Sequence, residues 1–463
     1  MDKTFRRIRR ALVSMSLLAA GLVAAPAATS VVHAAGLEGG GEFHPLTPTR
    51  IYDSRTFDGG PINEANPGPR SMPGTFDVSV LGQGGIPTDA SKVLAVVVNV
   101  TVTGSTSPGV LGAYAAGSQP ATLTSLLNFK TGMLVSNMAI LSPGTGGKIT
   151  VNLFGGSGTV HVIVDVFGWL STSAEAAGAE SGSRMQAITP SRILDTRDGT
   201  NLPKAGPIGP NQSIVVPVRG VDGVNPSTPD VIPNDPSVVG VVLNVVGINA
   251  RSGGMPTYIS AVPNDLGGAA PTTSNLNLSA NQTKANLVIV PVGADGNIRL
   301  FNLAGQTDVA IDAVGYLKSG SDSASSTGRI VPLAAPFRTF DTRDASFGNA
   351  PLGPGVAEEW SFQAFQASVK LGGAYVGDQS AVIGNLTNAS LTRQYPTVPV
   401  ESFLTVWPSG QQRPLTSYLD TNEDPIAVPN MAILTYGTDY KLSVYNLFGN
   451  AHYLFDASAV VLK

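Results

Sequence analysis

The sequence contains no cysteine. Disulfide staples, thiolate nucleophiles and Cys-ligated metals are therefore excluded. Histidine is nearly absent as well, with four in 463 residues. Only His44, His161 and His452 lie beyond the N-terminal segment. Charged residues make up 13% of the chain and leave a net charge of −4. That diffuse acidic balance argues against a nucleic-acid partner, which calls for a basic stripe. Past the N-terminus no apolar run is long enough to span a bilayer. Gly-x-Ser-x-Gly, His-Glu-x-x-His and phosphate-cradling glycine loops are also missing.

What is present is small, apolar and turn-rich. Hydrophobic residues reach 42%, with 53 glycines and 34 prolines. The apolar residues are mostly Val, Ile, Leu and Ala in runs of about four to eight, bounded by Gly, Pro, Asn or Asp. No sustained helical periodicity is visible. The exception is residues 1–34, where Lys3, Arg6, Arg7, Arg9 and Arg10 precede an apolar stretch from Ala11 to Val32. This has the form of a signal peptide cleaved after Ala34, so a secreted, extracellular or wall-associated protein is expected. The general secretory route is expected; Arg9-Arg10 leaves the twin-arginine route as the alternative.

Three internal copies set the organisation. Pro48-Thr49-Arg50-Ile51-Tyr52-Asp53-Ser54-Arg55 returns as Pro190-Ser191-Arg192-Ile193-Leu194-Asp195-Thr196-Arg197, and again as Pro336-Phe337-Arg338-Thr339-Phe340-Asp341-Thr342-Arg343. The pitch is 142 residues from Arg50 to Arg192 and 146 from Arg192 to Arg338. Four further landmarks follow in the same order. A lone Asn sits in an apolar run (Asn99, Asn244, Asn385). Then come Ser125 to Asn128, Ser274 to Asn277 and Ser417 to Asp420. A second Asn opens another run (Asn137, Asn286, Asn430), and each copy closes on a strand with one Asp (Asp165, Asp312, Asp456). The expected architecture is all-β: three tandem β-sandwich, jelly-roll-like domains at 43–170, 186–318 and 330–463, with linkers at 171–185 and 319–329. A closed barrel is the alternative. The copies stand either as beads on a string or as a pseudo-threefold assembly.

The Pro-x-Arg-x-x-Asp-Thr-Arg opening, the Asn-containing strand and the closing Gly168-Trp169 or Gly315-Tyr316 pair resemble a repeat domain widespread in secreted actinobacterial proteins. That resemblance implies an envelope-associated accessory module. Copy one departs from it with Ser54 in place of Thr, and copy three lacks the closing Gly-aromatic pair.

The repeated charges are expected to be internal ties. Asp53, Asp195 and Asp341 would cap local turns, and an arginine of each motif (from Arg50 and Arg55, Arg192 and Arg197, Arg338 and Arg343) would reach the closing Asp165, Asp312 or Asp456. An acid among Val and Ile needs a partner, and a planar guanidinium grips it at two points. The mid-strand Asn residues are expected to bond backbone at a bulge or sheet crossing. Tyr114 and Trp407 are candidates for stacking a sugar. Segment Asp195 to Thr200 carries oxygen ligands for calcium, but Arg197 in its middle opposes a cation, so no metal and no cofactor are expected. The functional expectation is a non-enzymatic structural, adhesive or glycan-binding surface protein, with cell-wall glycan or other envelope components as partners. The alternative is a secreted carbohydrate-active hydrolase working through paired carboxylates.

Overall fold

The computed structural model describes residues 39–55, 67–120, 123–172, 181–224, 227–248, 255–268, 270–320, 325–348, 350–371, 374–392, 401–422 and 427–463. The candidate signal peptide lies outside these residues. The first repeat contributes β1 (Phe43–Asp53), β2 (Arg70–Ser79), β3 (Val93–Thr103), β4 (Gly109–Ala115), β5 (Leu127–Phe129), β6 (Val135–Leu141) and β7 (Lys148–Ser171). The second adds β8 (Ser183–Asp195), β9 (Gln212–Pro217), β10 (Val221–Val224), β11 (Ser227–Ile232), β12 (Val238–Ile248), β13 (Thr257–Pro263), β14 (Leu276–Leu278), β15 (Thr283–Pro291), β16 (Asn297–Asn302) and β17 (Asp308–Ser319). The third adds β18 (Ile330–Asp341), β19 (Val356–Ser361), β20 (Lys370–Leu371), β21 (Ala374–Tyr375), β22 (Gln379–Thr392), β23 (Glu401–Pro408), β24 (Leu419–Asn422), β25 (Val428–Thr435), β26 (Lys441–Asn446) and β27 (Asn450–Leu462). Strands β7 and β8 reach Ser171 and Ser183, and β17 ends at Ser319, so regular structure extends into both stretches read as linkers.

Each repeat folds its strands into two antiparallel sheets. The inner sheets run β1-β7-β3-β6, β8-β17-β12-β15 and β18-β27-β22-β25. The outer sheets run β2-β7-β4-β5, β9-β16-β13-β14 and β19-β26-β23-β24. Leaving aside the small hairpins β10–β11 and β20–β21, and counting the two halves of β7 separately, every repeat has the orders 1-8-3-6 and 2-7-4-5. That is the jelly-roll arrangement.

The apolar runs fail to alternate for a physical reason: the inner sheets are covered on both faces. Val96, Val98 and Val100 of β3 point into the sandwich of their own repeat, whereas Val97 joins a cluster shared by all three. Likewise Val241, Leu243 and Val245 fill the second sandwich while Val242 faces the shared cluster. A strand buried on both sides needs apolar residues at every position, not every second one. The shared cluster contains equivalent residues from each repeat: Val97, Val242 and Ile383; Met138, Leu287 and Met431; Ile140, Ile289 and Ile433. Each such side chain, fully buried, contributes roughly 1.5–3 kcal/mol. The repeats therefore pack around a common pseudo-threefold axis.

Backbone pairing closes the ring. Gly41 and Ile330 exchange hydrogen bonds of 2.8 and 2.9 Å between repeats one and three. Phe43 pairs with Ser183 between one and two, and Met185 N–H donates to Gly328 O at 2.8 Å at the approach to repeat three. The closing glycine of repeat one has a packing role here. A Cβ on Gly168 would lie 2.4 Å from the Phe43 ring, while the neighbouring Trp169 stacks on His44 at 4.0 Å.

Candidate functional site

The opening motif sits at the end of the first strand of each repeat, beside the closing strand. Its register places Arg50 opposite Asp165, Arg192 opposite Asp312 and Arg338 opposite Asp456. Arg50 donates Nε to Asp165 Oδ1 at 2.9 Å and Nη1 to Asp53 Oδ2 at 3.2 Å. Arg55 then clasps Asp53 from the other side, with Nε to Oδ1 at 2.9 Å and Nη2 to Oδ2 at 2.7 Å. Its backbone N–H donates to the same Oδ1 at 3.0 Å, the local turn cap.

The second and third copies repeat this chain of contacts. Arg192 bonds both Asp312 and Asp195, and Arg197 grips Asp195. Arg338 reaches Asp456 at 2.8 Å and Asp341 at 3.0 Å, and Arg343 holds Asp341 at 2.6 Å. Burial alone would lift the Asp53, Asp195 and Asp341 carboxyls. The hydrogen bonds and charge of Arg55, Arg197 and Arg343 outweigh it and hold all three below the usual carboxylate range.

Sequence reasoning missed the neighbouring link. Ser54 Oγ shares a 3.1 Å hydrogen bond with His161 Nδ1, and Thr342 Oγ1 one of 3.0 Å with His452 Nδ1. In the second repeat Thr196 Oγ1 donates to Asp308 Oδ1 at 3.0 Å. The signal was the shared spacing, four residues before the closing Asp. His and Asp are alternative hydrogen-bond partners for the same hydroxyl, which explains their interchange.

The lone Asn residues do bond backbone carbonyls, but in the next repeat. Asn99 Nδ2 donates to Ser274 O at 3.0 Å, Asn244 Nδ2 to Ser417 O, and Asn385 Nδ2 to Ser125 O at 2.6 Å. One donates to two, two to three, and three to one. The second Asn series lies nearby and is fully buried. Asn137 Nδ2 donates to Asn385 Oδ1 at 2.9 Å, and Met431 N–H donates to Asn137 Oδ1 at 3.0 Å. At the chain-start pole, Glu42, Arg184 and Arg329 each occupy the position before the first strand's leading apolar residue. Arg184 Nε donates to Glu42 Oε1 at 3.0 Å, with Arg329 Nε 3.8 Å from the same oxygen. All three side chains are buried.

The stacking candidates are corrected. Tyr114 and Trp407 are each only 6% exposed, so neither presents a ring face to a sugar. Trp407 lies in a strand whose run Leu404 to Pro408 is buried throughout, and its Nε1 donates to Gln411 O at 3.0 Å. Among the described residues, the largely exposed aromatics are Phe337, Tyr375 and Phe448, all in repeat three. No group of three acidic, His or Cys side chains suited to a metal is found among the described residues.

No protein-family model and no curated relative matches this sequence. Solved structures do match. One, described as the triple jelly roll fold and turret assembly in an archaeal virus, has 8% identity over 91% of both chains, with a TM-score of 0.16. Another, the N-terminal CBM22-1-CBM22-2 tandem domain from Paenibacillus barcinonensis Xyn10C, has 12% identity over 59% of this chain and 99% of that chain, also at a TM-score of 0.16.

Proposed function

We propose that this chain is a secreted, non-enzymatic surface protein: three jelly-roll domains, bounded as the repeats are, fused into one rigid adhesive or structural block. It would act in the cell envelope, as the accessory modules it resembles do. The observation that carries this reading is where the repeated polar residues go. Arg50, Asp53, Arg55, Asp165 and their counterparts are engaged with one another, and the repeated Asn residues join repeat to repeat. What recurs three times is scaffold. Surface contact is then left to features that do not recur, such as the exposed Phe337, Tyr375 and Phe448 of repeat three.

The test is a sedimentation assay of the mature protein with purified cell wall, alongside a turnover assay on wall glycans and polysaccharides. Retention without product, weakened by Tyr375→Ala and Phe448→Ala, supports an adhesive block. Product formation that disappears on replacing a carboxylate would establish a hydrolase instead.

A further inference from the structure

The pole of the axis opposite Glu42 carries a cup lined by all three repeats. Asn128, Met133 and Val135 come from the first, Gln282, Thr283 and Lys284 from the second, and Asp420, Ala427, Val428 and Pro429 from the third. Its volume is about 40 Å³. A cavity needs ~10–15 Å³ per water, so this one holds about three waters or one carboxylate head group. The rim residues Met133, Gln282, Thr283 and Ala427 are half-buried, so the cup communicates with solvent.

Two side chains break the pseudo-symmetry here. Lys284 lies two residues before Asn286, where the other repeats have Val135 and Val428. Asp420 stands where the others have Asn128 and Asn277. Lys284 is 4% exposed, and its Nζ has no hydrogen-bond partner. An unpartnered buried ammonium is costly, and nothing in the scaffold requires it, since valine serves in two repeats out of three. Departures from a fold's own packing rules concentrate at functional or strained sites.

We propose that this axial cup is a binding site for a monoanionic carboxylate, with Lys284 as the counter-charge and Asp420, as the neutral acid, donating a second hydrogen bond. The environment matches those roles. Burial pushes Lys284 down to about 7, while burial and the nearby Asp312 carboxylate push Asp420 up to about 7. Lining the cup with Lys284 from the other elements are Val135 on β6, Val428 and Pro429 on β25, and Asn128 on β5, all uncharged. Asp420 on β24, backed by Asp312, is the acid on that side. Gln282 accepts from Ser279 N–H through Oε1 at 2.9 Å, which leaves its amide N–H groups as donors. A phosphate dianion fits poorly, because the single Lys284 ammonium balances only one of its two charges. A carboxylate with one charge fits one ammonium. This site does not depend on the adhesive reading given above.

The experiment titrates the full mature protein with acetate at constant ionic strength, by calorimetry and by the ¹³Cε shift of Lys284. N-acetylalanine and methyl glucuronoside serve as peptide-type and sugar-type carboxylates, and whichever binds more tightly identifies the source. The expected result is saturable binding near pH 6 that weakens by at least about tenfold between pH 7.5 and 8.5, as Lys284 and Asp420 lose their protons above about 7. Lys284→Met should abolish it with the fold intact by circular dichroism. Asp420→Asn, which keeps a neutral donor, should retain binding. The proposal is overturned by absence of saturation from pH 5 to 9, by Lys284→Met binding as wild type does, or by loss of binding in Asp420→Asn. It is equally overturned if Lys284 titrates near 10 and Asp420→Asn lowers that value, which would make the two an internal ion pair.

Discussion

Asn430 donates its side-chain amide to Asn244 Oδ1 at 2.8 Å, joining the third repeat to the second in a fully buried contact. The same side chain also donates to Tyr418 O at 2.7 Å and accepts from Leu287 N–H at 3.0 Å. One residue thus serves three buried partners. Asn430→Leu strands all of them, at roughly 1–3 kcal/mol each where water cannot enter. Chemical denaturation should show a loss of at least ~3 kcal/mol in a single transition for the whole molecule.

The two arginines of each motif should separate sharply. Arg192 is largely buried between two carboxylates, whereas Arg197 has a side chain 49% exposed. Arg192→Ala leaves Asp312 buried and uncompensated, and should cost about 3–5 kcal/mol. Arg197→Ala should cost about 1 kcal/mol or less, as partly solvated pairs do. Equal losses on urea denaturation would contradict this division.

Acid stability follows from the lowered carboxyls of Asp53, Asp195 and Asp341. The folded form holds each proton less tightly than the unfolded chain, where Asp titrates near ~3.9. Their contribution is complete above that value and is lost as pH falls through the folded ones. On their account the melting temperature should fall below about pH 4, and Asp195→Asn should flatten that slope.

The sign reverses for Lys284, lowered to about 7 by burial. An unfolded lysine titrates near ~10.4, so the unfolded chain binds the extra proton between the two values. Folding is penalised most below pH 7 and recovers as pH rises toward ~10.4. Lys284→Met should raise the melting temperature at neutral pH, with the gain fading in alkali.

Shape is testable directly. A compact body of the 425 residues from 39 to 463 has a radius of gyration of about 22 Å. Small-angle scattering should return a value near that, with one maximum in the distance distribution. Three separated maxima would mean beads on a tether.

The strands and the motif ties were readable because their cause is local. Arg50 and Asp53 lie three residues apart, and Asp165 closes a run whose Val residues demand a partner for it. The destinations of Asn99, Asn244 and Asn385 were not readable. Their partners are carbonyls on another copy of the same unit, and a chain with near-identical repeats bears no local mark of which copy meets which. Tyr114 and Trp407 misled for a related reason. They fall at nearly equivalent places in two copies, which suggested a shared platform, yet both lie within buried runs of their strands, Leu111 to Ala115 and Leu404 to Pro408. The cup around Lys284 went unnoticed because its distinguishing feature is a mismatch between repeats, and the comparison of copies rewarded matches.

An assembly of three identical subunits must put the same side chain on its axis three times over, and three glutamates or three arginines would drive each other apart. Joining the units end to end lifts that constraint. The polypeptide can set a single Glu42 between Arg184 and Arg329, and each position around the centre becomes free to drift by itself.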